Sequence, residues 1–121
     1  MSQAQSQRMA SMCDSARGHV DDLLVLLSKS KMLSILYVMN CDPVPMRFSE
    51  IKKRVGSSST TVARRLAELE DKGLVTRTAY ATVPATVEYT LTEDAISLQP
   101  SLESMFEWVL NRADNSVESL Y

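Results

Sequence analysis

The sequence predicts a mainly α domain with one small β-hairpin. Three observations carry that expectation. Apolar residues recur at helical spacing along most of the chain, and a Gly56-Ser57 turn separates two of the helical stretches. Two runs rich in β-branched and aromatic residues, Leu74–Tyr80 and Val87–Leu91, then follow with a short loop between them.

The 121 residues suit one domain. A chain of this size buries roughly two-thirds of its unfolded surface, enough for a real core. Apolar content of 45% and only three glycines agree with a compact, helix-rich protein. Cys13 and Cys41 form no disulfide framework and no CxxC metal pair, and read as reduced thiols. The run Leu23–Leu27 is too short to span a membrane, and the N-terminus lacks a secretion pattern, so the expected location is cytoplasmic.

Residues 1–17 are polar, rich in Gln and Ser, and read as an N-terminal tail. A helix over about 18–28 carries Leu23, Leu24 and Leu27 with Val25 and Leu26 between them. So wide an apolar stripe needs cover on more than one side, which points to a partner subunit. Ser30 is placed to cap the next helix, Lys31 to Asn40, whose core face is Met32, Ile35, Leu36 and Met39. Pro43 and Pro45 break the chain after it, and Met46-Arg47-Phe48 reads as a short extended piece.

Ser49 is the expected cap of the following helix, with Glu50 in its first turn. Ser58 is placed to cap a helix from Ser59 to Lys72, and Gly73 to end it in the left-handed conformation. Residues 49–72 are therefore a helix-turn-helix, and 74–91 a hairpin wing around the loop 81–86. Thr92 caps a last helical region in which Pro100 is expected to kink or split the helix. Beyond it, over about 101–112, Leu102, Met105, Phe106, Val109 and Leu110 recur at helical spacing, with Trp108 off that stripe. Residues 116–121 are a C-terminal tail.

Charge is segregated along this layout. The chain carries −2 overall, but Arg47 to Arg77 holds eight basic and four acidic side chains, a balance of +4. The remaining residues balance to −6. An acidic chain is no indiscriminate nucleic-acid coat, yet a basic helix-turn-helix beside a hairpin is built for DNA. On a helical wheel Val62, Leu66 and Leu69 face the domain, while Thr60, Arg64, Ala67, Glu68 and Asp71 point away. The N-terminal half of that outer face is cationic and hydroxyl-rich, and such residues meet base edges in the major groove. Taken singly, each of these side chains is an ordinary solvated residue; the order of elements and the charge segregation together favour DNA. His19 stands alone, and Ser57–Ser59 have no base or orienting acid, so catalysis, a metal and a cofactor are not expected.

Three strings resemble the HxlR-type regulators. Arg47-Phe48-Ser49-Glu50-Ile51 is similar to their "RFxEL" opening of the helix-turn-helix. Leu66-Ala67-Glu68-Leu69-Glu70-Asp71-Lys72-Gly73-Leu74-Val75-Thr76-Arg77 is similar to "LxxLExxGLVxR", and Pro84-Ala85-Thr86-Val87-Glu88-Tyr89-Thr90-Leu91-Thr92 to "PxxVEYxLT". The resemblance covers Lys31 to Trp108. It implies a dimeric winged helix-turn-helix transcription regulator related to the MarR type, with the first and last helices as the dimer contact. The chain departs from the family pattern at Lys29-Ser30-Lys31-Met32, where Gly-Gly-Lys-Trp is usual, and at Thr86, where the wing commonly carries arginine. No Lys or Arg occurs between Thr78 and Arg112, so the wing tip is uncharged. Some relatives sense oxidants through a cysteine shortly before the first helix; Cys13 stands farther from Lys31 than that, and the sensor role is not carried to it.

The combined expectation is a homodimeric, sequence-specific reader of double-stranded DNA with a pseudo-palindromic site. Ser59, Thr60 and Arg64 would read bases; Lys52, Lys53, Arg65 and Arg77 would hold phosphates. Leu23, Leu24, Leu27, Leu102, Met105, Phe106, Trp108 and Val109 would form the dimer interface. A small-molecule effector would have to lie in a cleft between subunits. The competing expectation is a protein-interaction module that kept the fold and lost strong DNA binding.

Overall fold

The computed structural model describes residues 16–115. The tail 1–15 with Cys13, and residues 116–121, lie outside the described residues. The described part of helix α1 covers residues 16–27, so Ala16 and Arg17, expected in the tail, are helical. Then come α2 (Met32–Cys41), β1 (Met46–Arg47), α3 (Phe48–Val55), α4 (Ser59–Asp71), β2 (Val75–Tyr80), β3 (Thr86–Leu91) and α5 (Glu93–Asn115). The fold is mainly helical with a small antiparallel sheet, as the sequence predicts.

The core forms where the helical periodicity places it. Met32, Ile35, Leu36 and Met39 of α2 are buried together with Ile51 of α3 and Val62, Leu66 and Leu69 of α4. Leu26, Met46, Val75 and Leu102 complete the cluster. Truncating such a side chain to alanine costs about 2–5 kcal/mol, because the surroundings close only partly over the cavity. Helix α4 is thereby anchored by one face and free on the other.

Four local expectations change. Ser30 does not cap α2: Lys31 occupies the N-cap with φ 67° and makes no side-chain cap bond. Ser49 does not cap α3, because that helix already begins at Phe48 with Arg47 as its uncapped N-cap. Pro100 does not split the last region, and lies inside one 23-residue helix. A proline is tolerated there because only one backbone bond is lost while the helix continues to bury Ala95 before it and Leu102 after it. Finally, Met46-Arg47 is more than an extended piece. It pairs with β3 in the register Met46↔Tyr89 and Arg47↔Glu88, giving a sheet of order β1-β3-β2.

The wing hairpin pairs Val75 with Leu91 through to Tyr80 with Thr86. Its base is tied to the helix-turn-helix. Gly73, at φ 74°, lets the chain turn back at the end of α4, and the Leu74 amide donates to the Leu69 carbonyl at 2.9 Å. The Thr92 hydroxyl donates to the Gly73 carbonyl at 2.7 Å and accepts from the Ala95 amide at 3.3 Å, so it caps α5 as expected.

Candidate nucleic-acid interface

The turn between α3 and α4 is made by Gly56 at φ 70°, a conformation that a side chain disfavours. Its amide donates to the Lys52 carbonyl at 2.9 Å, closing α3. Ser58 then caps α4 as expected: its hydroxyl oxygen accepts from the Thr61 amide at 3.2 Å. The Ser58 hydroxyl in turn donates to the Thr61 hydroxyl at 3.0 Å. Two of the hydroxyls in this cluster are thus occupied in holding the helix end, which leaves Ser59 and Thr60 exposed and available.

Arg64 is exposed one turn further on, beside Ala63. A single alanine on a polar face carries no signal in the sequence; exposed at this position, Ala63 presents a methyl group of a size that could meet a thymine methyl. Arg64 also borders an open groove of about 510 Å³ between α1 and α4.

The cations of the central segment divide into two groups. Arg54 is occupied: its Nε donates to Glu50 Oε1 at 2.8 Å, and its Nη2 lies 3.6 Å from Asp42 Oδ2. Arg65 is occupied too. Its guanidinium bonds to Glu68 Oε1, its side chain is largely buried, and its buried Nε has no partner among the described residues. A guanidinium so placed is poorly offered to a phosphate. Glu68 is likewise withdrawn from the outer face, since Lys29 bonds to its Oε2. The Lys29 hydrogen bond is the largest influence holding the Glu68 carboxyl below the usual carboxylate range, with help from the charge of Arg65 and against partial desolvation. By contrast Arg47, Lys52, Lys53, Arg64, Lys72 and Arg77 have no ion-pair partner among the described residues. Lys52 is half-buried, while Lys53 and Arg77 are exposed.

The wing tip is polar or apolar but uncharged. The Thr82 hydroxyl donates to the Pro84 carbonyl at 2.7 Å and lies 3.2 Å from the Thr86 hydroxyl, while Val83 is fully exposed. The Glu88 carboxylate beside Tyr80 holds its hydroxyl above the ordinary tyrosine range.

The side chains expected at a dimer contact also divide. Leu23 and Leu24 on α1, and Met105, Trp108 and Val109 on α5, are exposed. Leu27 and Phe106 pack against the core, Phe106 edge-on to Tyr37 at 4.9 Å. Leu102 is turned into the core at 2% exposure and offers no surface to a partner. Trp108 carries the Arg112 guanidinium 4.7 Å from its ring centre and is exposed. Cys41 is an exposed free thiol. No cluster of metal-ligating side chains occurs among the described residues, and none of their helices is long and apolar enough to cross a membrane.

Comparison with known proteins agrees with this geometry. The HxlR-like helix-turn-helix family model matches residues 25–117. An uncharacterised HTH-type transcriptional regulator of Halalkalibacterium halodurans is 40% identical over 94 residues, covering 77% of this chain and 81% of that protein. Among solved structures, the reduced form of the transcriptional regulator YodB from B. subtilis is similar with a TM-score of 0.62 and 32% identity, over 82% of this chain and 92% of that one. A MarR-family transcriptional regulator from Enterococcus faecalis V583 is similar with a TM-score of 0.70 and 25% identity, over 84% and 92% of the two chains.

Proposed function

The chain belongs to the HxlR-like helix-turn-helix family and is a transcriptional regulator with a winged helix-turn-helix DNA-binding fold; on that premise we propose that it reads double-stranded DNA sequence-specifically as a homodimer. Its relatives and structural neighbours are transcriptional regulators, not enzymes.

The observation that carries the reading is the free end of α4. A capped helix N-terminus presents exposed Ser59, Thr60 and Arg64, with Lys52, Lys53 and Arg77, unpaired among the described residues, on the neighbouring elements. Arg64 suits bidentate donation to guanine, and the hydroxyls suit bases or phosphates. The α4 amides and their partial positive charge favour a phosphate as well. Arg65 drops out of the phosphate set because Glu68 holds it. Exposed Leu23 and Leu24 on α1 and Met105, Trp108 and Val109 on α5 support a contact between two copies. A two-fold dimer would set its recognition helices (α4 in each copy) about one DNA turn apart, roughly 34 Å, and so favour a pseudo-palindromic site.

Fluorescence anisotropy on duplexes selected from a random library tests this. Arg64→Ala is expected to weaken binding to the selected duplex by about 1–3 kcal/mol and to relax one base-pair preference. Equal loss on selected and random duplexes would contradict base reading. Lys52→Ala with Lys53→Ala should lower the salt slope by about 0.9 per phosphate contact removed, and an unchanged slope would remove these lysines from the interface. If no duplex binds even at low salt, the uncharged wing has its explanation in a protein-interaction role instead.

A further inference from the structure

Helix α1 is weakly attached to the rest of the domain. Of its described side chains only Leu26 is buried, with Leu27 half-buried, while Val20, Leu23, Leu24 and Val25 are exposed. Between α1 and α4 runs the open groove of about 510 Å³, bordered by Asp22 and Val25 on one side and Arg64, Ala67 and Asp71 on the other. The two helices are therefore not knit together by side-chain packing along their length. What spans the gap is the ion pair from Lys29, in the turn after α1, to Glu68 on α4, 39 residues away in sequence. Among the described residues it is the one ion pair that joins this turn to α4.

The carboxylate is held on both sides. Lys29 takes Oε2 and Arg65, one turn earlier on α4, takes Oε1. Both oxygens are engaged and all three side chains are partly buried, so the rotamer of Glu68 is fixed by its neighbours. Such a pair adds little to folding beside the buried Val62, Leu66 and Leu69. Its larger effect is geometric. Helix α4 moves with the core, whereas α1 carries exposed apolar residues suited to a dimer contact. Any displacement of α4 relative to α1 appears twice across a two-fold axis.

We propose that Glu68 is a positioning residue: clamped between Lys29 and Arg65, it fixes the recognition helix relative to the first helix and so sets the half-site spacing that the dimer prefers. The inference rests on the DNA-reading homodimer proposed above.

Two measurements on the full chain test it, with Lys29→Gln, Glu68→Gln and Lys29→Arg. The first is amide hydrogen exchange over residues 28–32, whose turn is held by the Ser28 amide on the Leu24 carbonyl and the Met32 amide on the Lys29 carbonyl. Either Gln variant is expected to exchange about fivefold faster there, on the scale of a lost half-exposed pair. The buried α2 amides around Ile35 should stay as in wild type, and Lys29→Arg should keep the wild-type pattern. The second is anisotropy on duplexes carrying two copies of the half-site recovered by wild type from a random library, at spacings on either side of one helical turn. The Gln variants are expected to lose about fivefold in discrimination between spacings while keeping wild-type affinity for a single half-site, and Lys29→Arg to retain it. Unchanged exchange in both Gln variants overturns the proposal, as does faster exchange with an unchanged spacing preference. A library from which wild type recovers no duplex overturns the DNA reading itself. The exchange measurement needs no DNA, and still overturns the clamp if the turn in the Gln variants exchanges as in wild type.

Discussion

Thr92 shows how much one hydroxyl can join. It donates to the carbonyl of Gly73 at the end of α4, accepts from the Ala95 amide at the start of α5, and follows the last residue of β3. The Thr92 amide donates to the Leu74 carbonyl at 3.1 Å as well. Thr92→Val keeps the shape and removes both hydroxyl bonds. Losing the cap costs about 1 kcal/mol and the second bond about as much again, so urea denaturation should show a loss of about 1–2 kcal/mol. Thr92→Ser, which keeps both bonds, should lose clearly less; equal losses in the two variants would mean that the methyl group matters and the hydroxyl does not. The capping role was legible in the sequence, because threonine before Glu93-Asp94 is a local pattern. The bond to Gly73 was not, since it connects residues 19 apart that meet only once the wing has folded.

The same division between local and distant signals runs through the elements. α2 and α4 were legible because their apolar periodicity names the buried face, and Gly56, Ser58 and Gly73 named the turns. β1 was half legible: the prolines before it indicate extension, but its partner β3 lies some forty residues on and leaves no mark in the local pattern. The caps at Ser30 and Ser49 failed because a serine near a helix start is a weak indicator when backbone geometry starts the helix at another residue. Ion pairing was the least legible feature. The wheel placed Glu68 outward, and only the folded position of Lys29 turns it into a bridge. Of the kink or split expected at Pro100, the split does not occur, because α5 continues through it. The exposed Pro100 has no amide to offer the Ile96 carbonyl, so Pro100→Ala restores a bond and a better helix former. The variant should gain about 1–3 kcal/mol in a urea titration, the range between a partly accommodated and an ordinary interior proline. A loss of stability instead would show that the packing of Leu98 and Leu102 depends on a bend at this position.

At the scale of the molecule, the unresolved demand is apolar surface. Val20, Leu23 and Leu24 on α1 and Met105, Trp108, Val109 and Leu110 on α5 are exposed, while the helix-turn-helix between them buries its apolar residues well. In the proposed dimer, the exposed side chains gathered on the first and last helices would be covered by a second copy. A dimer also supplies what one subunit lacks. On the proposed reading a single α4 with an uncharged wing would engage few phosphates, whereas two copies would double the contacts and fix the register between them. Leu24→Asp and Trp108→Asp place charges on the α1 and α5 surfaces without touching the core, so each variant should fold. Sedimentation should show wild type near twice the 13.5 kDa chain mass, and the double variant near the chain mass itself. The same variant should bind a selected palindromic duplex at least about tenfold more weakly, because the second half-site becomes a separate event. Its affinity for a single half-site should stay as in wild type, since Ser59, Thr60 and Arg64 are untouched. A wild-type protein that sediments as a monomer at micromolar concentration would overturn the dimer and leave the α1 and α5 surfaces to a different partner.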